Sequence, residues 1–413
     1  MSTVLWIALI GGAFVAGVTI VAALVVVRNH EPFAAILGVL GLGLCAWSFG
    51  RLGSVYANVD VLVYAFGFAI GAFGGGYALA SALLDRLSHV APLAATEPAM
   101  DVQSATLIVF ACAEPESYDP RSTSRELARL ADERLVDLSI GVTPFMYAAQ
   151  KARYRAIGGT SPERGQVRQL AEAVERILGD RVFSRVETAW CDGPDELPRR
   201  IVEAVANGSR TLVVAVTSVG ESLEMVNAKR SIDRLRLAES GVSVVYTRPL
   251  WATERIISVL ASRILAAADD PETTGVALIA HGQPETREQS NASFDADENG
   301  FVSRVRMLLA DKGIAENRVR VAWAEWRDPD VTSTVRHLGA LGCSRVLVVP
   351  ACFPFDNLAT RLDIPIGIRQ ARLEATISVV TLNAWNDDPA VPDALAEEIR
   401  EAYEESLGSA SGR

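Results

Sequence analysis

The sequence predicts an α/β protein of two lobes with parallel sheets, preceded by three transmembrane helices. Three observations carry this: a front segment almost without charge, eight short β-branched runs alternating with helical stretches, and a repeat of those runs in two sets of four. Composition separates the parts. The 413 residues are 50% hydrophobic and 22% charged, with a net charge of −11 and a mean hydropathy of +0.22. Acidic chains are seldom hydropathic on average. Residues 1–84 resolve the conflict, holding only Arg28, Glu31, Arg51 and Asp60, which cancel. The negative charge therefore belongs to the remainder. A soluble part this large can bury a sizeable core, which excludes disorder. Five scattered cysteines do not make a disulfide framework. An acidic surface argues against nucleic acid as a partner.

The apolar stretches are Val4–Val27, Phe33–Phe49 and Val61–Leu84. A crossing helix needs roughly 20 apolar residues. The first lacks a basic flank and two more follow it, so it reads as an anchor rather than a cleaved signal. Gly67, Gly71 and Gly75, at four-residue spacing, are expected to let the three helices pack closely, or else to serve dimerisation. Arg28 and Arg86 flank one side and Arg51 the other, which places the large domain in the cytoplasm. Cysteine usage agrees, since nothing in it requires an oxidising compartment. With no charge inside a span, an anchor is expected rather than a transport path. The expected division is an anchor at 1–85, a linker at 86–104, and lobes at 105–250 and 251–408.

The eight runs are Thr106–Ala111, Val186–Trp190, Thr211–Val216, Val242–Tyr246, Val276–Ala280, Arg318–Trp323, Arg345–Val349 and Ile377–Leu382. Runs this apolar suit strands buried on both faces of a parallel sheet. Helical periodicity marks Gln166–Leu178, Glu196–Ala206, Glu254–Ala268 and Val302–Lys312 between them. LIVFACAEPES resembles LIAHGQPET, and RTLVVAVTSVGESLE resembles SRVLVVPACFPFDNLA. The chain thus repeats itself, and the first half carries an insertion around Thr143–Ser161. In such folds ligands sit beyond the carboxyl ends of the strands. The loops to read begin at Ala111, Thr217, His281 and Pro350.

His281 follows the strand VALIA and precedes Gly282, a position suited to a base, a metal ligand or a loop cap. Asp356 and Asp363 are seven residues apart, two turns if helical, so both can face one side. Asp356 can equally cap the helix. Cys112 and Cys352 stand at strand ends, as packing residues or as ligand or redox groups. Arg153 and Tyr154, before IGGTSP, suit a flat anionic ligand: guanidinium for carboxylate, ring face for stacking.

Four motifs carry a resemblance. KARYRAIGGTSP resembles the ferrochelatase segment in which a basic aromatic stretch leads into IGG-SP. VALIAHGQPE resembles the strand ending in AHS-LP, or GHG in related cobaltochelatases. RVLVVPACFPFDNLATRLDIP resembles the form VVP-GF-SDH-ET-YD-D, and TLIVFACAEPES the opening strand and its PES loop. Their order and spacing agree over nearly all of residues 105–385. The resemblance implies two Rossmann-like, chelatase-like lobes around a porphyrin, and a lyase reaction inserting Fe²⁺ as substrate with release of two protons. It implies no prosthetic group; an iron–sulfur cluster is not expected, as no cysteine follows Cys352.

His281 matches the family's essential histidine, which would accept protons and contact the metal; Asp363 matches a carboxylate on the same helix, also a metal contact, and Asp356 the D of SDH, the two aspartates forming a catalytic acidic path. Tyr147, Arg153 and Tyr154 match the porphyrin-covering region. The bilayer and an unidentified haem-pathway protein are the implied partners. The chain departs from the pattern at Ala359, where the family has its catalytic glutamate, and at Asn357, where histidine is common. Glu224 and Glu325 are the carboxylates placed to compensate. Two other readings follow: a tetrapyrrole binder without metal insertion, suggested by Ala359, and a cobalt or nickel chelatase, suggested by the AHG and DIP wording.

Overall fold

The computed structural model describes residues 2–88, 104–179, 182–193, 196–288 and 291–411. The linker expected at 86–104 lies outside them apart from its ends. Contacts divide the chain into two compact units, 1–91 with 117–160, and 92–116 with 161–413. Residues 117–160 group with the N-terminal helices rather than with the stretches that flank them in sequence, and both sheets fall within the second unit.

The first unit opens with α1 (Ser2–Val25), α2 (Glu31–Tyr56) and α3 (Val59–Ala82). All three are long and apolar enough to cross a membrane. A helix satisfies its own backbone, which is why such sequences adopt it in lipid. α2 runs well past the expected Phe49. Arg51 and the glycines near it are tolerated until Ala57 turns left-handed, and Asn58 then caps α3 by accepting from Asp60 N–H.

The glycines that let these helices approach are not the expected ones. A Cβ on Gly67, Gly71 or Gly75 would meet nothing within 4 Å. A Cβ on Gly12 would lie 2.6 Å from the Gly41 carbonyl oxygen, and one on Gly17 2.1 Å from that of Phe73. Spacing alone identified a stripe of small residues; which stripe faces a neighbour depends on helix rotation.

α4 (Pro120–Asp132) and α5 (Thr143–Ala156) complete this unit. Asp119 caps α4 through Arg121 N–H, with Pro120 at the first helical position. Leu127 and Tyr147 bury themselves with Val21, Val25 and Leu84, so an apolar cluster joins the insertion to the ends of α1 and α3.

The second unit holds the eight strands, each within two residues of its expected ends: β1 (Ser104–Ala111), β2 (Arg185–Trp190), β3 (Ser209–Val216), β4 (Ser243–Tyr246), β5 (Thr274–Ala280), β6 (Val319–Trp323), β7 (Arg345–Val349) and β8 (Ser378–Thr381). They form two parallel sheets with one topology, β2-β1-β3-β4 and β6-β5-β7-β8. The repeat in the sequence is thus a repeat of fold. Alternate residues of β5 enter different cores: Val276, Leu278 and Ala280 one, Ala277 and Ile279 another. The first of these cores also takes Leu107 and Val109 of β1, so both lobes share it.

The helix expected at Val302–Lys312 instead spans Ala292–Asp311. Its acidic first half hid the periodicity, yet Phe294, Glu298, Phe301, Val302, Val305 and Leu309 make one buried stripe.

Cys112 and Cys191, each one residue past the in-register ends of β1 and β2, are joined as a disulfide. From sequence Cys112 is a packing residue or a ligand or redox group. Its partner is 79 residues away, and only the pairing of β1 with β2 brings them together. The bond removes cysteine usage as an argument for a reducing compartment.

Candidate active site

β5 is wholly buried and delivers His281, half-buried, to the first position beyond its carboxyl end. Gly282 follows at φ +87°, and a Cβ there would lie 2.4 Å from the Glu325 carbonyl oxygen. Only glycine fits both demands. Glu325 N–H donates to the His281 carbonyl at 3.1 Å, which extends the β5–β6 pairing and brings the Glu325 loop beside the imidazole. The Phe353 ring packs 5.2 Å from the imidazole, and Phe294 meets it edge-on at 6.4 Å.

Glu298 is the residue the sequence reading missed. It is 1% exposed. Its carboxylate accepts from His281 N–H at 3.1 Å and Gly282 N–H at 3.0 Å. The Cys352 thiol also bonds to it. Burial still raises its pKa, against the lowering by His281, the two N–H groups and Cys352. The available signal was an acid on an apolar helical stripe, since a buried carboxylate needs donors.

His281 is surrounded by acids. Burial alone would lower its pKa, but Glu325, Glu298, the Gly282 carbonyl and Glu224 together raise it above the ordinary histidine value. A histidine so placed takes a proton readily and holds the resulting cation beside negative charge. Both carboxylates weighed as substitutes for the missing glutamate, Glu224 and Glu325, therefore act on His281.

The loop after β7 runs differently from the two-turn helix expected. Asp356 precedes the helix, which begins at Leu358 and includes a π-helical turn over Ala359–Asp363. Asn357, not Asp356, caps it: Asn357 Oδ1 accepts from Thr360 N–H at 3.1 Å, and Thr360 Oγ1 accepts from Asn357 N–H at 2.9 Å. Asp356 is buried, pairing with Arg361 at 2.7 Å and accepting from Thr360 Oγ1 at 3.1 Å. Asp363 closes the π turn, partly exposed. Ala359 packs in the C-terminal lobe's core with Phe353 and Ile364.

This loop is tied to the N-terminal lobe. Gln166 of α6 (Glu163–Leu178) accepts from Asp356 N–H, and Glu114, beyond β1, accepts from Leu358 N–H, both at 2.8 Å. Glu163 in turn accepts from Glu114 N–H at 2.9 Å. Tyr147, Arg153 and Tyr154 belong to the other unit. Tyr147 and Tyr154 are buried there, Tyr154 edge-on to Tyr118 at 6.4 Å, and Arg153 donates to Gln150 at 3.1 Å. Among the described residues no three His, Cys, Asp or Glu side chains converge as a metal-ligand set.

The family model described as ferrochelatase matches residues 107–403, from β1 through the last helix. The chain belongs to the ferrochelatase family. Curated ferrochelatases resemble it at low identity. That of Synechococcus sp. (strain RCC307) is 24% identical over 262 residues, 59% of this chain and 66% of that protein. That of Geobacter sp. (strain M21) is 22% identical over 267 residues, 60% and 80% of the two chains. Among solved structures, SirB from Bacillus subtilis with Fe3+ aligns at TM-score 0.46 and 14% identity, covering 74% of this chain and 98% of that one. The ferrochelatase match begins after α1–α3, which lie outside it.

Proposed function

We propose that this chain is a ferrochelatase-type lyase that inserts Fe²⁺ into a porphyrin at a membrane surface. The observation that carries the proposal is His281, held at a strand end among Glu298, Glu325 and Glu224 in a ferrochelatase-family chain. Insertion removes two protons from the macrocycle. His281 takes one proton from a pyrrole N–H and contacts the incoming ion, the second proton leaves to the carboxylates of the acidic loop, and Glu298 fixes the backbone that presents His281. Asp363 is the further metal contact. Asp356 acts in this scheme as the fixed end of the acidic loop, and Tyr147, Arg153 and Tyr154 as the porphyrin-covering residues. Fe²⁺ is a substrate, and no prosthetic group takes part.

α1–α3 anchor the protein to the bilayer, where an apolar macrocycle partitions. Arg28 and Arg86 against Arg51 support lobes in the cytoplasm, whereas the Cys112–Cys191 bond supports an oxidising side. Protease protection of a C-terminal tag in sealed vesicles distinguishes the two. A partner from the haem pathway would meet the enzyme at that surface.

One observation favours a second reading, a tetrapyrrole binder that does not metalate: Ala359 lies in the core where the family's glutamate would be. Full-length protein given protoporphyrin, coproporphyrin or sirohydrochlorin with Fe²⁺ or Co²⁺ separates the readings by absorbance. Metalation of a porphyrin by Fe²⁺ is expected. Binding without metalation supports the second reading, and metalation of sirohydrochlorin alone makes the protein a chelatase of another class.

A further inference from the structure

We infer that the segment Ser139–Met146, the turn before α5 and the first turn of α5 itself, is immersed in the hydrocarbon of the bilayer beside α3. The inference rests on the reading of α1–α3 as membrane spans and adds a fourth, non-spanning element to them. Residues 138–150 carry no charge. Within them Ile140, Val142 and Phe145 are 52%, 50% and 58% exposed. The exposed faces of α1–α3 carry similarly uncovered apolar side chains, such as Phe66 at 60% and Phe68 at 57%.

Depth comes from one hydrogen bond. Tyr77 Oη donates to the Gly141 carbonyl at 3.0 Å. Tyr77 lies five residues before the end of α3 at Ala82, about 7 Å inside it at 1.5 Å per residue. A helical side chain leans toward its own N-terminus, here away from the α3 end that leads to the soluble domain. The Gly141 turn therefore lies at least as deep as Tyr77.

The other end of α5 is fixed at the boundary. Lys151 Nζ donates to the Ala23 carbonyl at 2.7 Å and to that of Val26 at 3.3 Å, and pairs with Glu31 at 3.1 Å. Arg155 pairs with Glu31 as well. These are a carbonyl in the last turn of α1, the carbonyl just past it, and the first residue of α2. α5 thus runs from an apolar start to a basic end, with the basic end where spans meet headgroups. Cations there suit anionic lipid phosphates.

Backbone inside hydrocarbon must be paired, and three of the turn's carbonyls are. Ser139 O accepts from Val142 N–H and Thr143 N–H, each at 3.0 Å, and from Thr143 Oγ1 at 2.9 Å. Val142 O accepts from Phe145 N–H at 2.9 Å. Gly141 O has Tyr77. An apolar tip with these carbonyls paired fits acyl chains.

The test uses the full chain in vesicles of phosphatidylcholine with brominated acyl chains, which quench indole fluorescence within the hydrocarbon. Phe145→Trp is compared with Phe68→Trp on α3 and with Met307→Trp, exposed on the soluble domain. Each is read as emission added to the parent protein. The emission from Phe145→Trp is expected to be quenched as strongly as that from Phe68→Trp, with Met307→Trp unaffected. Quenching at Phe68→Trp without quenching at Phe145→Trp overturns the inference and leaves the anchor standing. No quenching at either position overturns the membrane reading, and the inference with it.

Discussion

Burial raises the pKa of a carboxylate even where donors meet it, as at both Glu298 and Glu163. Glu298 is held by two backbone N–H groups and a thiol. Glu163 is pushed up to about 8, chiefly by burial and then by the charge of Glu114, against the lowering by Glu114 N–H, Asn357 and Arg164. The folded chain thus holds a proton that the unfolded chain releases above the ordinary value of 4.5. This contribution to stability is full below that value and is lost as pH rises through about 8. Glu163→Gln removes the titration. Its melting temperature in detergent is expected to match the parent's at about pH 5 and exceed it at about pH 8.5. Equal shifts at both would show that the proton is not held there.

The raised pKa of His281 has a kinetic consequence. Its protonated form cannot accept a pyrrole proton, so metalation is expected to rise with pH through a value above the ordinary 6.5. Glu325→Gln removes one of the charges responsible and moves that limb toward acid. A limb that stays in place means another group controls it. Gly282→Ala sets a Cβ against the Glu325 carbonyl at positive φ, and a loss of about 1–3 kcal/mol in denaturant unfolding is expected.

At the scale of elements, all eight strands were legible, because β-branched apolar runs such as VALIA and VLVV have little other use than a sheet covered on both faces. Their shared order followed from the repeat. The contacts between elements were not legible. The stripe of Gly67, Gly71 and Gly75 faces open space while Gly12, Gly17 and Gly41 face neighbours, and one span's spacing does not reveal its rotation. Gly41→Val is therefore expected to lower the thermal stability of the detergent-solubilised chain by about 1–3 kcal/mol, and Gly71→Val to leave it unchanged. Equal effects would mean the helices pack through another face. Asp356 shows the same limit. Its spacing from Asp363 suited two helical turns, but Asn357 and Thr360 start the helix later and a π turn breaks the count.

At the scale of the molecule, two lobes and three apolar helices could be read from where charge begins and where the strand pattern repeats. That residues 117–160 join the unit of those helices could not, since it depends on Leu127 and Tyr147 meeting Val21, Val25 and Leu84 in space. Glu298 escaped for a related reason, because among so many acidic side chains only burial distinguishes it. His281 was legible because a strand, a histidine and a glycine in succession leave few structural alternatives. It is also where the function is most directly tested. Purified full-length protein would be given Fe²⁺ and protoporphyrin under anaerobic conditions, and metalation followed by absorbance beside His281→Ala. The parent is expected to metalate the porphyrin, and the variant to bind it equally well while metalating about 10²–10⁴-fold more slowly. Equal rates in the two proteins would contradict the assignment of His281 as the proton acceptor.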